Sequence, residues 1–395
     1  MTRRLYALDV ARGAAMLFVC LSHFGGTFLN PGRNADISPL LARIGGLATR
    51  ISMIATPSFM VVSGCVIGCL YTLDPKRMPA LRRKLLDRGL FLLLVGHTLQ
   101  APAYAASGHL GVELRVSYIT DVIAIAIIIG PTLVLRTSPL TRISIGASLL
   151  VLSWGIDGWE PRSAVGIFVD RYAFGVAPLG EFAGFPAVPW VGVYLLATVL
   201  GERIGRSAQS DGREIEHLLA RIGGVLVGCG ILAGLVIALI AVRQPQLSST
   251  LPAHHALLHA FTGTLKKYPP GPVYLAVYSG AALLLIATAF VIAGDSRCSV
   301  ITRHLAALGR ASFFIFVLQA YVYYVALPSI HIPYPAMWPI YYALTVIAFI
   351  WVSRIWNRFD ANRYLSVGLW RTVPLARAVR ARIRTGFALP GADGS

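Results

Sequence analysis

The chain has 395 residues, of which 56% are hydrophobic and only 13% are charged, and its formal net charge is +18. Soluble domains carry about 25% charged residues, and disordered chains contain far less apolar material, so both classes are excluded. Nucleic-acid-binding proteins cluster Lys and Arg on a solvated face, which this apolar chain can scarcely provide. The composition therefore indicates an integral membrane protein, and the positive charge needs an explanation within that class.

Apolar stretches long enough to cross a bilayer, about 20 residues each, follow one another along the chain. We predict spans near residues 6–29, 47–71, 86–105, 117–135, 140–157, 185–205, 220–242, 270–294, 305–328 and 335–353. The stretch 140–157 is the weakest, because it is short and opens on Thr141 and Arg142. The predicted fold class is an all-α polytopic integral membrane protein with about ten transmembrane helices. Residues 1–358 form the predicted membrane domain, and residues 359–395 a basic tail.

The distribution of Lys and Arg predicts the orientation of the chain. With a cytoplasmic N-terminus, 23 of these residues fall in inner segments and 7 in outer loops. The positive-inside rule therefore predicts that both termini are cytoplasmic, with the basic tail resting on anionic lipid. The first stretch contains Asp9 and Arg12 and lacks a small-residue cleavage site, so we predict a retained helix and not a signal peptide. A bacterial inner membrane is the expected location.

Three polar residues of the first helix lie on nearly one face. Arg12 and His23 are separated by about 20° around the helix and roughly 16 Å along its axis, and Asp9 lies one turn before Arg12. Charged groups at membrane depth are costly, which makes them candidates for function. A snorkelling interfacial Asp–Arg pair with a separate interior histidine is the structural alternative. The histidine on the shared face favours a site.

Further polar residues fall within other predicted spans. His97 and Asp121 lie on the third and fourth helices, and Asp121 is equally well explained as a helix-end carboxylate. Gln319 lies on the ninth helix, where Arg310 begins the span. Its stripe of polar residues is also typical of helix–helix hydrogen bonding. The basic run 76–88 suits either phosphate binding or contact with anionic lipid, and the sequence leaves both open.

The outer segment before the eighth span contains two adjacent lysines, Lys266 and Lys267, followed by Tyr268 and Pro269. Lysines in an outer loop run against the positive-inside bias. We expect no metal site. The neighbouring His254, His255 and His259 have no Cys or carboxylate beside them and are interpreted as a solvated loop, and the cysteines lack metal-ligand spacing.

Several of these motifs together resemble membrane acyltransferases, namely acyltransferase family 3 and the heparan-α-glucosaminide N-acetyltransferase-like proteins. In chain order the matching segments are Leu8–Gly13 with His23, Pro57–Gly64, Arg82-Arg83 with Arg88-Gly89, Phe185–Gly192, Lys267–Pro270 and Leu308–Ser312. Their order along residues 4–325 is more specific than any single motif, and it favours the heparan-acetyltransferase-like branch.

The resemblance implies transfer of an acyl group, most simply acetyl, from cytoplasmic acyl-CoA to a hydroxyl or amino group outside the membrane. The acceptor would be a glycan or another small molecule. It implies a general base or a transient acyl-histidine at His23, with Arg12 holding the donor and Asp9 orienting that arginine. The remaining site residues are Arg83, Arg88 and Ser63 for the cofactor, and Lys267, Tyr268, Gln319 and Arg310 for the substrate.

One departure from the resemblance concerns Gln319, because relatives often carry a histidine there. Glutamine does not transfer protons at neutral pH, so either His23 works alone or the acceptor differs or catalysis is lost. A transporter or flippase of a small or lipid-linked solute, and a sensor or assembly protein without activity, are the alternatives. Transporters often contain internal repeats, and we find no convincing one. Membrane lipid is an expected partner, nucleic acid is not, and a homodimer is left open.

Overall fold

A computed structural model describes residues 3–29, 37–106, 110–156, 163–174, 184–207, 213–243, 267–330 and 335–368. Its regular elements are helices, which confirms the predicted all-α class. We number them α1 (Arg3–Phe28), α2 (Pro39–Ser52), α3 (Ala55–Leu73), α4 (Met78–Phe91), α5 (His97–Ala105), α6 (Leu110–Glu113), α7 (Ile119–Arg136), α8 (Pro139–Gly155), α9 (Ala164–Val169), α10 (Ala187–Ser207), α11 (Arg213–Arg243), α12 (Pro272–Gly294), α13 (Ser299–Arg310), α14 (Ser312–Tyr321) and α15 (Trp338–Arg358).

Eight helical stretches in the described ranges are long and apolar enough to cross a membrane. They are Leu5–Phe28, Pro39–Leu73, Ile119–Arg136, Ala187–Ser207, Glu214–Ile240, Pro272–Gly294, Ser312–Ser329 and Trp338–Arg358. The chain is thus a multi-pass integral membrane protein. The other two predicted spans, 86–105 and 140–157, correspond to the helices α4–α5 and α8, and α8 ends at Gly155. The placement of both termini in the cytoplasm stays a prediction.

Two predicted spans differ from the helices that form. The third begins at Met78 and runs through α4 and α5 to Ala105, with a π-helical turn at Leu92–Gly96 between them. The ninth does not begin at Arg310. That residue ends the charged helix α13, and Ala311 leaves helical geometry before α14 starts the apolar stretch. The break occurs because α13 carries a charged face that cannot continue into lipid.

Helix α1 is central and crosses α13 at very close range. It also packs against α2, α3, α12, α14 and α15. A methyl group at Gly13 would collide with the carbonyl oxygen of Leu305, and one at Gly309 would collide with the carbonyl oxygen of Asp9. Small residues permit such contact between membrane helices. The crossing brings the N-terminal third of α1 beside Arg310.

The charged start of helix α8 is explained by its packing on α10. Arg142 is buried, donates from Nη1 to Thr198 Oγ1 at 2.9 Å, and forms an ion pair with Glu202. Glu202 also pairs with Arg206 at 2.9 Å. Because both buried charges are neutralised within the helix pair, α8 tolerates an arginine that its sequence alone marks as unfavourable.

The described part of the predicted tail packs against the helices. Asn362 Nδ2 donates to the carbonyl oxygen of Arg310 at 3.0 Å, and Trp356 Nε1 donates to Asn362 Oδ1 at 3.0 Å. The hydroxyl of Ser366 donates to the Asp87 carboxylate on α4. Residues 359–368 therefore join α13 and α15 to α4, while residues 369–395 lie outside the described residues.

Candidate functional site

A cavity of about 370 Å³ lies between α1, α3, α4, α7 and α14. Polar lining residues come from α1, α3, α4, α7, α13, α14 and the segment after α15, and the rest of the lining is apolar. The polar lining residues are Asp9, Arg12, Ser63, Arg88, Thr120, Arg310, Ser312 and Asn362. The apolar ones are Phe59, Val66, Ile67, Leu85, Leu92, Ile119, Ile123, Ile127, Phe313 and Phe316.

The polar end of the cavity is strongly basic. Asp9 Oδ1 lies 3.7 Å from Arg12 Nη1, and Asp9 Oδ2 lies 3.9 Å from Arg310 Nη1. Arg88 contributes a third guanidinium group to the same cavity. Asp9 is the one carboxylate among the described lining residues, so it leaves a net positive charge. Guanidinium groups bind phosphate and carboxylate oxygens well, and this end of the cavity is suited to an anion.

The structure brings together most of the residues that the sequence predicts for the donor. Arg12, Arg88 and Ser63 line the cavity, and Arg310, predicted to bind substrate, lines it as well. Arg83 is an exception, because its side chain is exposed on α4 and is not part of the cavity wall. The helical periodicity of α4 separates Arg83 from Arg88 by five residues, which places them on different faces.

His23 lies beyond the apolar end of the cavity and does not line it. Phe316 contacts both, since it forms part of the cavity wall and its ring centroid lies 6.1 Å from that of His23. Tyr324 and Tyr104 pack around the same imidazole, with centroid distances of 5.5 Å and 6.2 Å. The cavity and the histidine are thus neighbours that share contact with one aromatic ring.

The hydrogen bond between His23 and Gln319 determines which imidazole nitrogen carries a proton. Gln319 Nε2 donates to the carbonyl oxygen of Phe316 at 3.0 Å, which leaves Oε1 to face His23 Nδ1 at 2.8 Å. A carbonyl oxygen only accepts, so Nδ1 must be the protonated nitrogen. Nε2 of the neutral ring then keeps a free lone pair. This is the tautomer that a general base requires.

A second histidine pair, between His97 and Asp121, lies next to this aromatic group. His97 Nδ1 is 2.8 Å from Asp121 Oδ2, which also accepts from the backbone N–H of Tyr118 at 2.8 Å. The Tyr118 ring lies 5.1 Å from both the His97 ring and the Tyr104 ring. Asp121 is therefore both a helix-end carboxylate and a partner of His97. The sequence places these residues on separate helices and gives no signal for their pairing.

Lys267 and Tyr268 lie on the His23 side of the protein and not in the basic cavity. The Lys267 ammonium lies over the rings of Phe185 and Tyr268, at 5.2 Å and 5.1 Å from their centroids. It is close enough to His23 for electrostatic interaction. The segment is held by Trp154, whose Nε1 donates to the carbonyl oxygen of Pro270 at 3.1 Å. Lys266 and His254, His255 and His259 lie outside the described residues.

The Lys267 ammonium is expected to make stability depend on pH. Desolvation lowers the pKa of Lys267 to about 8 from its ordinary value of 10.5. Between these values the unfolded chain binds more protons than the folded chain, so folding stability from this group rises with pH across that window. We therefore expect Lys267→Met to raise the unfolding temperature at pH 7 and to lose this advantage by pH 10. Thermal unfolding in detergent at both pH values measures the change.

The matched control for this prediction is Lys84→Met, which removes an exposed lysine from α4. The comparison with wild type at each pH cancels the titration of all other groups. An unfolding-temperature difference for Lys267→Met that is equal at pH 7 and pH 10 would show that burial does not destabilise the ammonium.

Comparison with protein families gives a match over the N-terminal part of the chain. The family described as heparan-alpha-glucosaminide N-acetyltransferase, catalytic, matches residues 4–230, which is more than half of the chain. The matched region contains α1, with Asp9, Arg12 and His23, and also Ser63 and Arg88. Comparison with individual curated proteins gives no match.

Proposed function

Because the chain belongs to the heparan-α-glucosaminide N-acetyltransferase catalytic family, we propose that it transfers an acetyl group from cytoplasmic acetyl-CoA to an acceptor outside the membrane. The family makes the chain an acetyltransferase-like membrane enzyme. The acceptor group is an amine or a hydroxyl, most simply on an amino sugar. The positive-inside distribution of Lys and Arg supports an orientation in a bacterial inner membrane with the basic cavity facing the cytoplasm.

The observation that supports the proposal is the order in which basic, apolar and aromatic residues follow one another from the cavity to His23. Arg12, Arg88 and Arg310 form a basic end, apolar side chains form the walls, and His23 packs near the lining residue Phe316. An acyl-CoA has the same order of properties, with phosphates at one end, a thin arm in the middle and a thioester at the other end. The arginines would hold phosphate oxygens, and the arm would extend toward Phe316.

In this mechanism His23 both accepts and returns the proton that is transferred. Its unprotonated Nε2 takes the proton from the acceptor amine or hydroxyl as that group attacks the thioester carbonyl carbon. A C–N or C–O bond forms, the C–S bond breaks, and the imidazolium returns the proton to the leaving thiolate. Gln319 holds Nδ1–H and keeps the ring in place, so a glutamine at this position is compatible with catalysis by His23 alone. A transient acetyl-His23 is the alternative route.

The placement of the acceptor follows from the residues on the far side of His23. Tyr104, Tyr324 and Tyr268 offer flat faces of the kind that stack on sugar rings, and Lys267 lies beside them. We place the acceptor between Lys267 and His23. Phe316, which contacts both the cavity and His23, then lies near both donor and acceptor.

The direct test is release of free CoA thiol by the purified full-length protein in detergent. Acetyl-CoA is the donor, and glucosamine is the acceptor probe. We expect CoA release that depends on glucosamine and yields an acetylated amino sugar. Uptake of a solute into proteoliposomes without CoA release would favour a transporter instead. Absence of both turnover and acetyl-CoA binding would contradict the proposal.

Arg88→Gln is expected to raise the KM for acetyl-CoA by roughly 10–100-fold while kcat changes little. The reason is that a charge-assisted hydrogen bond contributes about 1.5–3 kcal/mol and Arg88 is distant from the reacting atoms. Steady-state kinetics with varied acetyl-CoA measures both constants. Arg203→Gln, which removes an exposed arginine of α10 outside the cavity, is the control. An equal change in both variants would remove Arg88 from the donor site.

Arg83→Gln, measured in parallel, tests the part of the sequence prediction that the cavity does not include. A rise in KM similar to that of Arg88→Gln would extend the donor site onto the exposed face of α4. No rise would confine phosphate binding to the arginines of the cavity.

A further inference from the structure

A second pocket, of about 330 Å³, lies between α13 and α15 and shares one residue with the donor cavity. Its polar lining consists of Arg303, His304, Arg310, Arg354 and Asn357. The described residues of its wall include no carboxylate. Three guanidinium groups around one pocket repel each other; Asp9 lies near Arg310, and an anion in the pocket would offset the repulsion that remains.

The hydrogen bonding of these residues leaves donors open to a ligand. Arg303 uses Nε on the carbonyl oxygen of Ser299 at 3.2 Å, and Asn357 Nδ2 donates to the carbonyl oxygen of Ala307 at 2.7 Å. The buried Nδ1 of His304 has no hydrogen-bond partner among the described residues. Because this Nδ1 is buried, the donors offered to a ligand in the pocket are the guanidinium N–H groups of Arg303 and Arg354.

An apolar surface extends from this pocket along α15. Leu344, Ile347 and Trp351 are exposed at 58%, 62% and 64%, and helical spacing places them on the same face as Arg354. In a membrane this face contacts acyl chains. Arg354 lies at the end of this face, where a spanning helix meets the lipid headgroups. The predicted orientation places this end on the cytoplasmic side. The basic pocket and the apolar face are therefore arranged like the headgroup and the acyl chains of a phospholipid.

We propose that the pocket of Arg303, His304, Arg310, Arg354 and Asn357 binds a phosphate group, and that an anionic phospholipid of the inner leaflet carries it. The site is separate from the proposed acyl transfer and does not depend on it. Arg310 lines both the pocket and the donor cavity and also contacts Asp9. A phosphate bound in the pocket would therefore attract the Arg310 guanidinium and could change its position in the donor cavity.

The experiment measures lipid retained by the purified full-length protein. Native mass spectrometry is applied after incubation with an equimolar mixture of phosphatidylglycerol and phosphatidylcholine. Wild type is expected to retain phosphatidylglycerol in preference. The double variant R303Q/R354Q is expected to reduce the phosphatidylglycerol-bound fraction by at least about tenfold, because it removes two charge-assisted contacts. R303K/R354K keeps the charge without the planar fork and should retain an intermediate fraction.

The matched control is R136Q/R203Q, which removes two exposed arginines from the predicted cytoplasmic ends of α7 and α10. It loses the same charge from the same side of the membrane, so general attraction to anionic lipid falls equally in both double variants. If R136Q/R203Q loses as much bound phosphatidylglycerol as R303Q/R354Q does, the proposal that the pocket binds this lipid is contradicted. Thermal unfolding verifies that both variants are folded.

A competition experiment with soluble compounds tests whether the bound phosphate group belongs to a phospholipid or to a soluble molecule. Inorganic phosphate and CoA are titrated separately against protein that retains phosphatidylglycerol. Failure of both to displace the lipid supports the phospholipid. Displacement by either, lost in R303Q/R354Q and kept in R136Q/R203Q, supports phosphate binding but overturns the lipid as carrier. No binding of phosphatidylglycerol, phosphate or CoA that depends on Arg303 and Arg354 would overturn the whole proposal.

Discussion

His23→Ala is expected to lower kcat for acetyl transfer from acetyl-CoA to glucosamine by about 10²–10⁴-fold, the usual contribution of a general base. The KM for acetyl-CoA should change little, since the cavity that holds the donor does not include His23. Steady-state release of CoA thiol measures both constants. Wild-type turnover in this variant would remove His23 from the mechanism.

Gln319→Met is the informative companion of His23→Ala. It keeps the imidazole and the approximate volume of the side chain but removes the acceptor that holds Nδ1–H. We expect a loss of roughly fivefold in kcat, since the hydrogen bond that fixes the tautomer contributes about 1 kcal/mol. A complete loss would assign Gln319 a direct role with the substrate. Intact-mass measurement during turnover tests for an acetyl group on His23, which the general-base route does not form.

Gly13→Ala is expected to destabilise the protein by about 1–3 kcal/mol or more, as overpacking at a close helix contact does. The added methyl group would meet the carbonyl oxygen of Leu305, so α1 and α13 must move apart. Their separation would also part Asp9 from Arg310, and we expect a higher KM for acetyl-CoA. Thermal unfolding in detergent and donor kinetics measure the two effects.

Gly26→Ala is the matched control on the same helix, because among the described residues, apart from the adjoining backbone of α1 itself, no atom lies within 4 Å of a methyl group placed there. Alanine favours helix over glycine by about 1 kcal/mol, so this control should be neutral or slightly stabilising. Equal behaviour of the two variants would show that α1 and α13 are not in close contact at Gly13.

Hydrophobic periodicity and length predict the helices well, because both are local properties of the chain. Departures arise where charge and packing act together. Arg142 marks α8 as a poor span, yet Glu202 neutralises it from another helix. Arg310 belongs to the amphipathic α13 and not to the apolar α14, a break that hydropathy averages away.

The sequence predicts most of the residues of the site, but it does not predict which of them contact each other. Asp9, Arg12 and His23 share one helix face, so the 3.6-residue period relates them directly. Arg310 and Gln319 lie about 300 positions later, on α13 and α14, and their contacts with Asp9 and His23 depend on how closely α1 packs against those two helices. The pairing of His97 with Asp121 likewise depends on the rotation of two helices, which one sequence does not determine.

The short segment after the last spanning helix has a consequence for biosynthesis. The cavity takes one wall from Asp9 and Arg12 near the start of the described chain and another from Asn362 near its end. Chains fold from the N-terminus as they leave the ribosome, and the first helices are inserted long before Asn362 is made. A nascent chain therefore carries Arg12 and Arg88 in the membrane without a complete cavity, and the cavity closes only after α15 has been inserted.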